Sequence, residues 1–172
     1  MQTLHSLRTT FNKQLVEIYP ADEIDSLFYI VVAETLSISR LQVKMNLHLA
    51  VNDLQLAEFQ RVLNALQGQT PIQHILGHAP FYGFDFEVNE HTLIPRPETE
   101  ELVHLIITQE KYRKQAQVLD IGTGSGCIAI SLAKKLPHAD VEAMDISTEA
   151  VAVAQRNAEK LDAAVRFTQC DI

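Results

Sequence analysis

The run Val118-Leu119-Asp120-Ile121-Gly122-Thr123-Gly124-Ser125-Gly126 places glycine at every second position behind an apolar stretch carrying one acidic residue. A second apolar stretch starts at Cys127. Glycine lets a backbone turn sharply and meet a ligand with no β-carbon between them. Such a loop between a strand and a helix suits a nucleotide-like ligand, and spacing decides which. A dinucleotide fingerprint puts its third glycine three residues after the second; here that position is Cys127 and the glycine falls early, at Gly126, so NAD is the runner-up. A phosphate-binding P-loop needs Lys and then Ser or Thr after its last glycine, and Cys127-Ile128 supplies neither.

A ligand with a carboxylate and no phosphate fits better, because loop amides and the following helix start can hold it; S-adenosylmethionine is such a ligand. The predicted cofactor contacts are Gly122, Thr123, Gly124, Ser125 and Gly126, with Asp145 at the next strand's end accepting the ribose hydroxyls. Asp171 and Ile172, closing a third strand, border the adenine, one by a hydrogen bond and the other by an apolar face. Asp120 either orients the loop or touches the cofactor's amino group. Plainer readings stand beside these: Asp145 as a helix cap, Asp171 as a strand terminator. Ser147 is already available as that cap, which favours the ribose role for Asp145.

Other chemistries find little support. Cys127 and Cys170 are far apart and in no metal-type spacing, which points to buried thiols rather than a disulfide or a zinc site. His74 and His78 form the one close histidine pair, across Gly77, and no metal is expected there.

The elements that position these residues follow from apolar spacing. Leu4, Leu7, Phe11, Leu15 and Ile18 paint one helical stripe, which Tyr19-Pro20 ends. Asp22 caps a second helix with Ile24, Leu27, Phe28, Val31, Val32 and Leu36 on a wider face. Ser39 opens a short third, and Asn52 or Asp53 a fourth, with Leu56, Phe59, Val62, Leu63 and Leu66 inward and Gly68 as a left-handed cap. Alternation from Phe84 to Val88 predicts a half-buried strand of a β-hairpin. Pro97 starts a helix running to about Tyr112, its positive end crowded by Glu98, Glu100 and Glu101. Then strand, loop and helix alternate: Val118–Ile121, Cys127–Leu136, Val141–Asp145, a helix capped by Ser147, and Val165–Asp171. The expected fold is α/β: an all-helical bundle over residues 1–70, a hairpin linker over 71–96, and the first half of a doubly wound Rossmann-like sheet over 97–172.

The chain has 172 residues, 47% of them hydrophobic and 21% charged, the balance of a globular protein with a real core. Its net charge of −8 is spread evenly along the chain and would repel a phosphate backbone, so no direct nucleic-acid partner is expected. No apolar stretch has the length of a membrane helix and the start has no signal-peptide run, so the expected location is cytoplasmic, with no membrane partner.

Taken together, Pro71-Ile72-Gln73-His74-Ile75-Leu76-Gly77, Phe81-Tyr82-Gly83 with Phe86, Leu93-Ile94-Pro95-Arg96-Pro97-Glu98-Thr99-Glu100, Asp120 to Ile128 and Asp145-Ile146-Ser147 resemble the HemK/PrmC family. These are the N5-glutamine methyltransferases that modify peptide chain release factors. The Pro-Arg-Pro-Glu-Thr-Glu run is the specific part; the glycine loop alone says only methyltransferase. The resemblance implies a helical domain that helps grip the release factor, a hairpin linker and a class I methyltransferase sheet. Arg96 and Glu98 are then expected near the site. It also implies methylation of the glutamine in a Gly-Gly-Gln loop, with the family's Asn-Pro-Pro-Tyr motif holding the amide and lying beyond Ile172. The 172-residue chain alone is therefore expected to bind without turnover, and no catalytic residue is assigned within it. The alternatives are an exocyclic-amine methyltransferase of DNA or RNA and a non-catalytic release-factor-binding fragment.

Overall fold

A helix leaves its first amides without partners unless a neighbouring side chain takes them. The computed structural model describes residues 2–113 and 115–171, and three of its helices solve this problem in the same way. Before α1 (Leu4–Leu15), α3 (Arg40–Met45) and α4 (Asp53–Gln67), the side chains of Thr3, Ser39 and Asn52 accept the amide three residues on. Ser6, Gln42 and Gln55 reach back in exchange. The start of α2 (Ala21–Leu36) differs from expectation: Pro20 holds the cap position with no side-chain bond, and Asp22 lies inside the first turn, where its charge faces the positive helix end. Gly68 is not left-handed either, with φ −78°; the reversal falls one residue later, at Gln69 with φ 59°.

The predicted stripes meet in one core. Phe11 stands edge-on to Phe28 and Phe59, at 5.5 and 6.1 Å between ring centres, amid buried Leu4, Leu15, Ile24 and Leu66. The Tyr19 hydroxyl donates to the Leu66 carbonyl at 2.9 Å, closing the turn after α1 against α4. A short helix, α5 (Ile72–Leu76), follows Pro71, and one compact unit ends at Ile75 while a second begins at Leu76.

In the second unit β1 (His78–Phe81) and β2 (Phe84–Glu87) form the hairpin. Both tip residues, Tyr82 at φ 49° and Gly83 at φ 80°, are left-handed, which matches the strands' own twist. Phe86 is buried and Asp85 exposed, as the alternation requires, although the strand stops at Glu87 and the Val88 amide turns to the Gly77 carbonyl at 3.0 Å. After α6 (Pro97–Glu110) come β3 (Gln117–Ile121), α7 (Cys127–Lys135), β4 (Asp140–Asp145), α8 (Thr148–Lys160) and β5 (Arg166–Gln169). The three strands are parallel in the order β3-β4-β5, with Val118 opposite Val141 and Ala143 opposite Phe167. One sheet face, carrying those residues, packs with Ala129 of α7, while Leu119 and Ile121 lie exposed on the other. The last strand is shorter than expected: it stops at Gln169, so Asp171 lies past its end. Among the described residues no helix is long and apolar enough to cross a membrane.

Candidate functional site

The glycine loop joins β3 to α7 at the carboxyl ends of the parallel strands, where open α/β sheets bind ligands. Gly122, Gly124 and Gly126 have φ of 74°, 56° and 80°, a region closed to most side chains, so all three glycines are required by the path of the chain. They differ in surroundings. A β-carbon on Gly122 would meet no described heavy atom within 4 Å, whereas one on Gly126 would lie 2.8 Å from Ile130 Cδ1 and 3.1 Å from Ala154 Cβ. Gly122 therefore faces open space, and Gly126 is where α7 and α8 close on the loop.

Four of the loop's five amides are bonded within the protein, contrary to the expectation that they face a ligand. Gly122 and Thr123 both donate to the Met144 carbonyl, at 2.9 and 3.0 Å, Gly124 donates to Asp145 Oδ2 at 2.8 Å, and Gly126 donates to the Thr123 carbonyl at 2.9 Å. The end of β4 accepts three of these four bonds, on two oxygens, and sets the loop's shape. What the loop offers a ligand is a bare surface.

Asp120 orients the loop from beneath. Its carboxylate accepts the Thr123 hydroxyl at 2.7 Å and faces the Ala129 amide in the first turn of α7. Burial raises this carboxyl above its ordinary range; the Thr123 hydroxyl and the Ala129 amide pull it down, and the Asp145 charge adds to the rise. Thr123 and Ser125 are buried; the Thr123 hydroxyl serves the loop through Asp120, whereas the Ser125 hydroxyl has no hydrogen-bond partner among the described residues.

Asp145 ends β4. Its Oδ2 takes the Gly124 amide and its Oδ1 takes the Ser147 amide at 3.0 Å, while the Ser147 hydroxyl accepts from Ala150 at 3.0 Å and caps α8. The plainer reading thus holds in part, since Asp145 does steady the turn into α8. A carboxylate has about four lone-pair positions, however, and one per oxygen remains for hydroxyl donors.

Beside Asp145 a cleft of about 330 Å³ is lined by Ile121, Gly122, Met144, Ile146, Cys170 and Asp171. The structure thus brings Gly122, Asp145 and Asp171 together, with Gly124 bonded to Asp145; Ile172 lies outside the described residues. The sequence reading missed Met144 and Ile146, which look like ordinary apolar residues of a strand end, and Leu93. Leu93 is 75% exposed, and its amide nitrogen is 4.0 Å from where a β-carbon on Gly124 would stand. Arg96 and Glu98 are exposed at the cap and first turn of α6. Of the two thiols, Cys127 is buried, with its pKa pushed up to about 11 by desolvation, while Cys170 is exposed in the cleft.

Two family models match the chain: a PrmC N-terminal domain over residues 6–77 and a methyltransferase small domain over residues 99–172. A release factor glutamine methyltransferase of Flavobacterium psychrophilum is 45% identical over 98% of this chain and 60% of its own length. The protein of the same name from Bacteroides thetaiotaomicron is 41% identical over the same shares. That of Bacillus subtilis is 46% identical over 71% of this chain and 44% of its own. The chain thus spans about 60% of the length of the first two relatives.

Proposed function

We propose, because this chain belongs to the HemK/PrmC family of release factor glutamine methyltransferases, that the whole protein transfers a methyl group from S-adenosylmethionine to the glutamine side-chain amide in the Gly-Gly-Gln loop of peptide chain release factors. The observation that carries this reading is the Asp145 carboxylate at the end of β4, beside the open face of Gly122. The residues present fit the cofactor: a bare loop surface for close approach, a carboxylate with acceptor positions left for two ribose hydroxyls, and apolar Ile146 and Met144 to flank a purine. The sulfonium group is cationic, and a protein of net charge −8 draws it in.

In this proposal Gly122, Thr123, Gly124, Ser125 and Gly126 form the floor, Asp145 holds the ribose, and Asp171 with Ile172 borders the adenine. Leu93, whose amide nitrogen lies beside Gly124, borders the loop from the linker. When bound, the cofactor supplies an activated methyl group; this chain's residues bind and orient it. Residues 1–70 help grip the release factor, 71–96 link, and 97–172 bind the cofactor. Two measurements on the full-length protein test the proposal: calorimetric titration with S-adenosylmethionine against NAD, and methyl incorporation into release factor. Binding of the first ligand and labelling of the glutamine are expected. Preference for NAD, or cofactor binding without labelling, refutes it.

A further inference from the structure

We infer that Asn157 is a positioning residue of the cofactor site, tying the glycine loop to the hairpin so that one side chain fixes both the loop and the start of the segment that runs to Leu93 beside Gly124. The inference rests on the reading of the loop as the cofactor site.

Asn157 lies on α8, fully buried. Its Oδ1 accepts the Glu87 amide at 2.7 Å, and its Nδ2 donates to the Glu87 carbonyl and to the Ser125 carbonyl, both at 2.9 Å. The first two bonds pair with Glu87 as a neighbouring strand would, and they suffice to dock the hairpin. The third goes to the loop. The Ser125 carbonyl belongs to the same peptide as the Gly126 amide, which is bonded to the Thr123 carbonyl at 2.9 Å, so this peptide plane is held at both ends. On the loop's other side Asp145 holds the Gly124 amide. From Glu87 the chain runs through Val88 to Leu93, whose amide nitrogen lies beside Gly124, and Val88 packs in one buried cluster with Ile94, the residue after Leu93. A leucine at 157 would match the shape but leave two carbonyls and an amide without their side-chain partner, the Ser125 carbonyl in a buried position, which disfavours the loop's binding form.

Its neighbours provide the comparison. Arg156 pairs with Glu87 and Lys160 with Asp85, gripping the same hairpin from the exposed face of α8 without touching the loop. A purely structural role for Asn157 predicts that these substitutions and its own act alike.

The test uses the full-length protein and S-adenosylhomocysteine as probe. Asn157→Asp keeps the size and the acceptor for the Glu87 amide but loses both donated bonds. Measured below its unfolding temperature, it is expected to bind the probe about tenfold more weakly. KM for S-adenosylmethionine should rise in step, with kcat at saturation largely kept. Arg156→Ala with Lys160→Ala should lower thermal stability and leave probe affinity unchanged. A second measurement needs no substitution: by reciprocity of coupling, exchange of the Asn157 side-chain amide protons slows when the probe binds. Probe affinity of Asn157→Asp equal to that of the unsubstituted protein, or side-chain exchange indifferent to the probe, overturns the inference. Failure of the unsubstituted protein to bind the probe at all would overturn the cofactor reading first and this inference with it.

Discussion

Gly122→Ala and Gly126→Ala make the same chemical change in one loop, and the structure assigns them opposite consequences. Both positions are left-handed, at φ 74° and 80°, so each alanine costs about 1–2 kcal/mol of backbone strain. At Gly126 the added methyl also runs into Ile130 Cδ1 at 2.8 Å and Ala154 Cβ at 3.1 Å. The Ile130 terminus can rotate, but Ala154 is fixed on α8, so α7 and α8 must part; overpacking of this kind adds about 1–3 kcal/mol. Gly126→Ala should therefore lose roughly 2–5 kcal/mol of unfolding free energy and Gly122→Ala roughly 1–2. At Gly122 the methyl enters open space on the cleft side and stands where the cofactor is proposed to lie, so its main effect falls on binding. Urea denaturation followed by far-ultraviolet circular dichroism measures the first quantity, the chain having no tryptophan to report it. Calorimetric titration with S-adenosylhomocysteine measures the second. Equal destabilisation by the two alanines, together with unchanged affinity in Gly122→Ala, would refute the assignment of floor and hinge.

Asp145→Ala removes the proposed ribose acceptor and leaves the Gly124 and Ser147 amides unpaired; with charge-assisted bonds worth about 1.5–3 kcal/mol each, affinity should fall about 100-fold, as read by the same titration. Burial raises the folded-state pKa of Asp120 above its unfolded value, so between those two pKa values the native state holds the extra proton, stability falls as pH rises, and the penalty persists above. Asp120→Asn, which still accepts the Thr123 hydroxyl, should be more stable than the parent at neutral pH and lose that advantage in acid; urea midpoints across pH check this. Ellman's reagent should titrate one thiol in the native protein, exposed Cys170, and cofactor should slow that reaction, while Cys127 reacts only on unfolding because burial holds it as the thiol.

The helices were readable from sequence because their signals are local. Ser39 and Asn52 announce two of their starts, and the Leu4-to-Leu15 stripe shows which side turns inward; the cap at Thr3 emerged only with the structure. The first strand of the hairpin was not readable: His78-Ala79-Pro80-Phe81 carries a proline and becomes a strand only because β2 pairs with it. The loop's glycine spacing singled out a candidate site, but the direction of its amides depends on the Met144 carbonyl, which only the parallel register of β3 and β4 brings alongside. Asn157 was invisible for the same reason. In Ala154-Gln155-Arg156-Asn157-Ala158 it is one more helical polar residue, and its meaning comes from Glu87, 70 positions away.

The reciprocal side-chain exchanges at three helix starts also bear on how the chain comes into being. Each is complete within four consecutive residues, so those turns can nucleate while the ribosome is still adding the rest. The parallel strands have no such independence: β3 must wait for α7 and β4, and β4's second edge for α8 and β5, before each is paired. Synthesis therefore delivers the part with self-sufficient beginnings first, and the slow-closing part second, when a settled neighbour is already out of the exit tunnel.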